Sequence, residues 1–262
     1  MHIIKSFIIA FSMYSKLPMP RTEWKEEDMR YVMCFFPWIG VVIGTLVYGA
    51  FKIWQWAESV RNLPVWVFAL IASVIPILIT GGIHLDGYID TSDALASYGT
   101  REKKLEILKD PHIGAFAVIR LAVLLLLTVA GFGCLRGSAQ DFLLLGAGYF
   151  LSRTSSAIGL LTVKGAKKEG TLYTFAHAAQ RYVVLTVLYV YLAAGILICI
   201  FLCRDGWLAG GCGLYTAFAG ALVYVHYIFM AKKQFGGLTG DLAGWFVTVF
   251  ELVWLWGICI WS

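Results

Sequence analysis

Gly81-Gly82-Ile83-His84-Leu85-Asp86-Gly87-Tyr88-Ile89-Asp90-Thr91-Ser92-Asp93 closes an apolar run long enough to cross a membrane, and it brings three carboxylates within eight residues of a chain otherwise poor in acid. If the stretch is helical, offsets of four and seven residues at about 100° each put Asp86, Asp90 and Asp93 within roughly 60° of one another on one face. Like charges so placed repel, and a divalent cation held by oxygen ligands is the simplest compensation. Magnesium fits best, because it binds through few carboxylates, keeps waters and lets substrate phosphates complete its shell. The plainer reading is a solvated helix start whose acids face the macrodipole. Three acids on one stripe beside a bilayer-length segment exceed what an ordinary capping turn needs, and the metal reading is adopted.

Composition sets the class. The chain has 262 residues, 60% apolar and 14% charged, with mean hydropathy +0.76, the profile of a polytopic membrane protein. Its net charge of +5 does not indicate nucleic acid, because the basic residues sit in short gaps between apolar runs, as membrane flanks do. The six cysteines lie in or beside apolar segments without a CxxC pair and read as small buried hydrophobes rather than disulfides or metal ligands. The first residues lack a small-residue cleavage pattern, so no cleaved signal peptide is expected.

Residues 2–15 read as an amphipathic helix lying in the membrane interface. Residues 24–28 read as a short surface helix capped by Thr22. Seven apolar spans follow, at residues 31–53, 63–83, 113–135, 142–163, 183–203, 207–230 and 242–261, with Pro76 expected to kink or break the second. Residues 101–110 read as a charged surface helix with Thr100 as N-cap. The expected fold is therefore all-α, one membrane-embedded domain over residues 1–262: about seven transmembrane helices and an N-terminal interfacial helix. With the N-terminus on one side, fifteen Lys and Arg fall on that side and four on the other, leaving Arg120 and Arg153 inside spans. The richer side is expected to be the cytoplasm. The acidic stretch, the basic loop at 164–181 and the loop ending at Asp241 all fall there.

Gln234-Phe235-Gly236-Gly237-Leu238-Thr239-Gly240-Asp241 is the second concentrated signal. Its glycines permit close approach to a ligand, Thr239 offers a hydroxyl, and Asp241 either binds metal or caps the last helix. Arginine inside a span is expensive and by default functional. Arg153 is read either as a phosphate contact or as the partner of an acid in the cluster, and Arg120 either as a phosphate contact or as a side chain snorkelling from a shallower helix. His84 and His112 are candidate proton handlers or phosphate contacts, or simply solvated.

At these residues the sequence resembles the cobalamin synthase family, adenosylcobinamide-GDP ribazoletransferase. The resemblance runs nearly end to end: residues 15–20 (Ser-Lys-Leu-Pro-Met-Pro), the Gly-Gly-x-His-x-Asp-Gly-x-x-Asp-x-x-Asp pattern at 81–93, residues 101–110 followed by Ile113-Gly114-Ala115, and residues 236–241. The chain departs from the family in carrying Ala94 where a Gly usually follows the third Asp, and Lys167-Lys168-Glu169-Gly170 where an Arg-rich Gly loop is usual. The resemblance implies a magnesium-dependent phosphotransferase of the inner membrane, with its site facing the cytoplasm. It joins adenosylcobinamide-GDP to alpha-ribazole or its 5′-phosphate and releases GMP. On this reading Asp86, Asp90, Asp93 and Asp241 are the metal ligands, and Asp90, Arg153 and His84 are catalytic. Lys109, Arg120, Lys168, Gly237 and Thr239 bind substrate. Membrane lipid, and as a further candidate a second copy of the chain, are the expected partners. The competing readings are a CDP-alcohol phosphotransferase, an intramembrane prenyltransferase and, from another class, a cation transporter. Prenyltransferases tend to carry two separated Asp-rich motifs where this chain has one, and a transporter would place its acids near the bilayer midplane.

Overall fold

The computed structural model describes residues 2–166, 171–204 and 212–261, and among them the architecture is helical with no strand. The chain opens with α1 (His2–Tyr14), the expected amphipathic helix. It buries Ser6, Ile9, Ala10 and Tyr14 at helical spacing and leaves Ile3 and Ile4 exposed. Asp28 anchors it: the buried carboxylate takes bonds from His2 at 2.7 Å and Lys5 at 3.1 Å, while the Ser6 hydroxyl donates to the Asp28 carbonyl. The surface helix expected at residues 24–28 is only a 3₁₀ turn, Glu26–Met29, and the Thr22 hydroxyl donates to the Glu23 carbonyl instead of capping it. Residues 23–27 stay exposed while Asp28 is drawn inward by His2, Lys5 and Ser6 of α1, which sets the chain's path after a single turn.

The first span, α2 (Val32–Arg61), runs well past the expected end at Ile53, because nothing in its last turns breaks a helix. It stops at Asn62, whose left-handed φ of 52° lets its N–H reach the Glu58 carbonyl. Next, α3 (Val65–Thr80) and α4 (Ile83–Ala96) stand at 94° to one another. Pro76, the expected break, lies inside an unbroken helix. The turn is made instead by Gly81 and Gly82, at φ 64° and 80°, conformations glycine adopts without a Cβ clash. The Gly81 N–H meets the Leu78 carbonyl at 3.3 Å and the Gly82 N–H the Ile77 carbonyl at 2.9 Å, which satisfies the last carbonyls of α3.

Beyond the acidic helix come α5 (Arg101–Ile107), capped by Thr100 as expected, α6 (Ala115–Cys134) and α7 (Ala139–Thr162), whose start is held by reciprocal bonds between Ser138 and Asp141. A short helix, α8 (Thr171–Ala178), interrupts the segment expected to be loop, and α9 (Arg181–Arg204), α10 (Cys212–Met230) and α11 (Gly240–Trp261) complete the bundle.

Among the described residues five helices are long and apolar enough to cross a membrane, or six if the bent α3–α4 pair is one span, against the seven expected. The shortfall is α7, which has 24 residues but carries Ser152, Arg153, Thr154 and Ser156, all buried. That helix faces protein rather than lipid. It packs centrally beside α11, where the Trp254 indole donates to the Leu144 carbonyl at 2.8 Å. The outer helices show the opposite pattern, with Leu126, Leu197, Phe201, Phe218 and Val225 exposed, as lipid requires. The chain is a multi-pass membrane protein. Its acidic helix α4 lies across the end of the bundle where α3 finishes and α6 and α11 begin, and α1 reaches the same end through the Lys16 N–H bond to the Ile79 carbonyl at 2.7 Å.

Candidate active site

Two glycines decide what α4 presents. A Cβ on Gly87 would stand 2.6 Å from the Asp241 carbonyl oxygen, and one on Gly244 would stand 2.9 Å from the His84 carbonyl oxygen. With hydrogens at both positions α4 and α11 touch backbone to backbone, and the Thr248 hydroxyl adds a bond to the His84 carbonyl at 3.2 Å. This contact brings Asp86 of α4 and Asp241 of α11 to the wall of one cavity of about 500 Å³. Tyr14, Met33, Phe36 and Leu160 line its apolar side, and His177 and Arg181 of the α8–α9 region line it as well.

The loop before α11 is built by pairing rather than by freedom. The Leu238 N–H donates to the Lys164 carbonyl at 3.0 Å and the Ala166 N–H to the Leu238 carbonyl at 2.8 Å, a short parallel bridge tying the segment after α7 to the one before α11. Gly237 is packed into this bridge, 2.5 Å from the Lys164 oxygen to the place a Cβ would occupy, and it is the neighbouring Leu238, Thr239 and Gly240 that line the cavity. Of the two roles open to Asp241, the cap falls to Thr239, whose hydroxyl accepts from the Leu242 N–H at 3.2 Å. Asp241 lies one residue inside the helix, where the macrodipole favours an anion.

The remaining candidates separate. Asp90 follows Asp86 by one turn on the same stripe and is half-buried, outside the cavity lining. Asp93 accepts from the Gly114 N–H at 3.2 Å and so ties the far end of α4 to the start of α6. Arg120 donates to the Ser92 carbonyl at 2.8 Å and closes the same joint, which places it on protein backbone rather than in the cavity. Lys109 is exposed and lies outside the cavity. His112 is exposed and bonded to Asp110, and its backbone N–H and ring hold that carboxyl below its usual range. Lys168 and its loop lie outside the described residues.

Arg153 is fully buried and faces neither an aspartate of the cluster nor the large cavity. Its guanidinium meets Glu251 at 2.5 Å and the Tyr149 carbonyl at 2.8 Å, because a charge at this depth requires a countercharge and α11 supplies one. The pair borders a second cavity of about 80 Å³. His84 lines both cavities, and its Nε2 is buried without a partner among the described residues. Glu251, His177 and Arg181 were not singled out by sequence. Glu251 carried a usable signal, as the one acid in the apolar run from 242 to 261.

Among the described residues no group of three or more His, Cys, Asp or Glu side chains is gathered as a metal site. The donors on offer are the carboxylates of Asp86 and Asp241 at one cavity, with Asp90 a turn away. Two carboxylates from different helices, with positions left for water and phosphate oxygen, suit magnesium and do not suit a metal that needs a closed protein cage.

A family model described as cobalamin-5-phosphate synthase matches residues 6–259. A protein of Lachnoclostridium phytofermentans named adenosylcobinamide-GDP ribazoletransferase is 40% identical over 259 residues, covering 95% of this chain and 91% of the relative. Proteins of the same name from Geobacillus sp. and Clostridium perfringens are 33% and 31% identical, over 95% and 94% of this chain and 93% and 94% of their own lengths. No solved structure matches.

Proposed function

Because the chain belongs to the cobalamin-5-phosphate synthase family, we propose that its cavity at the α4–α11 contact is where adenosylcobinamide-GDP and alpha-ribazole, or its 5′-phosphate, meet. The protein is a transferase of cobalamin biosynthesis. A ribazole hydroxyl oxygen bonds to the phosphorus on the cobinamide side, the bridging phosphorus–oxygen bond breaks, and GMP leaves with that oxygen. The observation that carries the reading is the convergence of Asp86 and Asp241, 155 positions apart in the chain, on one cavity with an apolar wall.

Asp86 and Asp241 would hold Mg²⁺, with Asp90 completing the acidic edge. When bound, the ion supplies charge neutralisation and polarises the phosphoryl oxygens. Asp90, one helical turn along α4 from Asp86, is assigned to accept the hydroxyl proton, and His84, with its unpartnered Nε2 at the cavity wall, to hydrogen-bond a phosphoryl oxygen or the leaving group. Arg153 acts at one remove, by fixing α7 to α11 through Glu251. Asp93 and Arg120 set the tilt of α4 and through it the aim of Asp86. The site faces the cytoplasm of an inner-membrane protein on the charge distribution of its loops.

The test is GMP release by purified full-length protein given adenosylcobinamide-GDP and alpha-ribazole, with Mg²⁺ and then with excess EDTA. Stoichiometric GMP and cobalamin with Mg²⁺, and loss of both with EDTA, are expected. No GMP release by folded protein overturns the transfer reading, and release unaffected by EDTA overturns the metal.

A further inference from the structure

The acidic wall of the cavity faces a problem that it does not solve itself. Asp86 and Asp241 together cancel the charge of one divalent ion, and the diphosphate's own charge is left without a partner. Of the cations to which sequence pointed, Arg153 is engaged on Glu251 and Arg120 on the Ser92 carbonyl, Lys109 is exposed and outside the cavity lining, and Lys168 lies outside the described residues. Arg181, the first residue of α9, lines the same cavity as Asp86 and Asp241 but comes from a different part of the bundle. Among the described residues no carboxylate forms an ion pair with it.

Its position is fixed although its side chain is exposed. The Gln180 N–H donates to the Arg30 carbonyl at 3.1 Å, and the Gln180 side-chain oxygen accepts from the Tyr31 hydroxyl. The α8–α9 turn is thus tied to the start of α2, and Arg181 follows one residue later. A planar guanidinium held at the mouth of a cavity suits the two-pronged grip on phosphate oxygens that arginine makes and lysine does not.

From this we infer that Arg181 binds the diphosphate of the nucleotide-activated donor, in the cavity that it lines together with Asp86 and Asp241. The inference rests on the transfer reading for the identity of the donor, and on the cavity alone for the anion.

The experiment uses full-length Arg181→Gln and Arg181→Lys proteins. It measures KM for each substrate and, separately, equilibrium binding of GDP with Mg²⁺ to monodisperse detergent-solubilised protein. Arg181→Gln is expected to raise the donor KM and the Kd for GDP roughly 10- to 100-fold, the range of a charge-assisted phosphate contact. The acceptor KM stays within twofold, and Arg181→Lys recovers part of the loss. Donor KM and GDP affinity unchanged in Arg181→Gln overturn the inference, as does a rise confined to the acceptor. If wild-type protein released no GMP the transfer reading would fail by itself, and GDP binding to the two variants would still decide the role of Arg181.

Discussion

At the residue scale the three aspartates of α4 look alike in sequence and differ in what surrounds them. Asp86 opens onto the cavity, whereas Asp93 accepts a backbone N–H from Gly114. Asp86→Asn is expected to lower GMP release by at least about 100-fold with normal membrane insertion. Asp93→Ala is expected to cost about 1 kcal/mol of stability, the loss of an acceptor for a partly buried donor, with a far smaller effect on kcat. Thermal unfolding in detergent beside the GMP assay separates the two. Glu251 makes a sharper case, since Glu251→Gln leaves the Arg153 guanidinium buried without its countercharge. A loss of about 3–5 kcal/mol is expected, and an Arg153→Met, Glu251→Leu double variant should regain most of it. Equal unfolding temperatures for the single variant and wild type would show that the pair contributes nothing. Sequence alone identified Arg153 as expensive but not its partner, because the partner lies on another helix 98 positions away. The fate of Asp93 was equally out of reach, since its donor belongs to a loop 21 positions downstream.

At the scale of elements, local signals were read well where one residue type has one physical meaning. Thr100 before a charged run gave the cap of α5, and the 3.6-residue spacing of the acids gave the shared stripe of α4. Pro76 was ambiguous in a way that the Gly81-Gly82 pair was not. A proline removes one N–H from a helix that neighbouring packing can still hold straight, while two left-handed glycines in succession commit the chain to turn. The docking of α1 onto Asp28 carries a pH dependence. The His2 bond, and after it Lys5, holds the Asp28 carboxyl below its usual range. A depressed carboxyl contributes stability that is present above its unfolded pKa, about 4, and lost as pH falls through the folded value. The protection of residues 2–14 against hydrogen exchange, taken relative to the intrinsic rate at each pH, is therefore expected to fall below about pH 4, and Asp28→Asn should show the low protection already at pH 7. Protection that does not change over this range would argue against the clamp.

For the whole molecule, composition alone fixed a helical membrane bundle, and the loop charges proposed which end of it faces the cytoplasm. The number of spans was harder to read, because hydropathy measures whether a helix suits lipid and α7 is enclosed by protein. The proposed orientation has a direct check in Cys134, an exposed thiol at the end of α6 remote from the acidic helix. In intact cells a membrane-impermeant maleimide should label a variant retaining Cys134 as its single cysteine. A variant whose single cysteine replaces Ser97, at the end of α4, should label only after the cells are opened. The reverse pattern would invert the protein and place the site outside.

The backbone contact between α4 and α11 also implies two kinds of intolerance to change along one short helix. At position 86 a replacement fails for want of a negative oxygen, so glutamate is the substitution nearest to acceptable. At position 87 every residue with a Cβ fails alike, whatever its charge or polarity, because the Asp241 backbone occupies the space it would need. A library of substitutions through residues 83–96 should therefore be divided by chemistry at the aspartate and by volume at the glycine beside it. The glycine would be the less forgiving of the two.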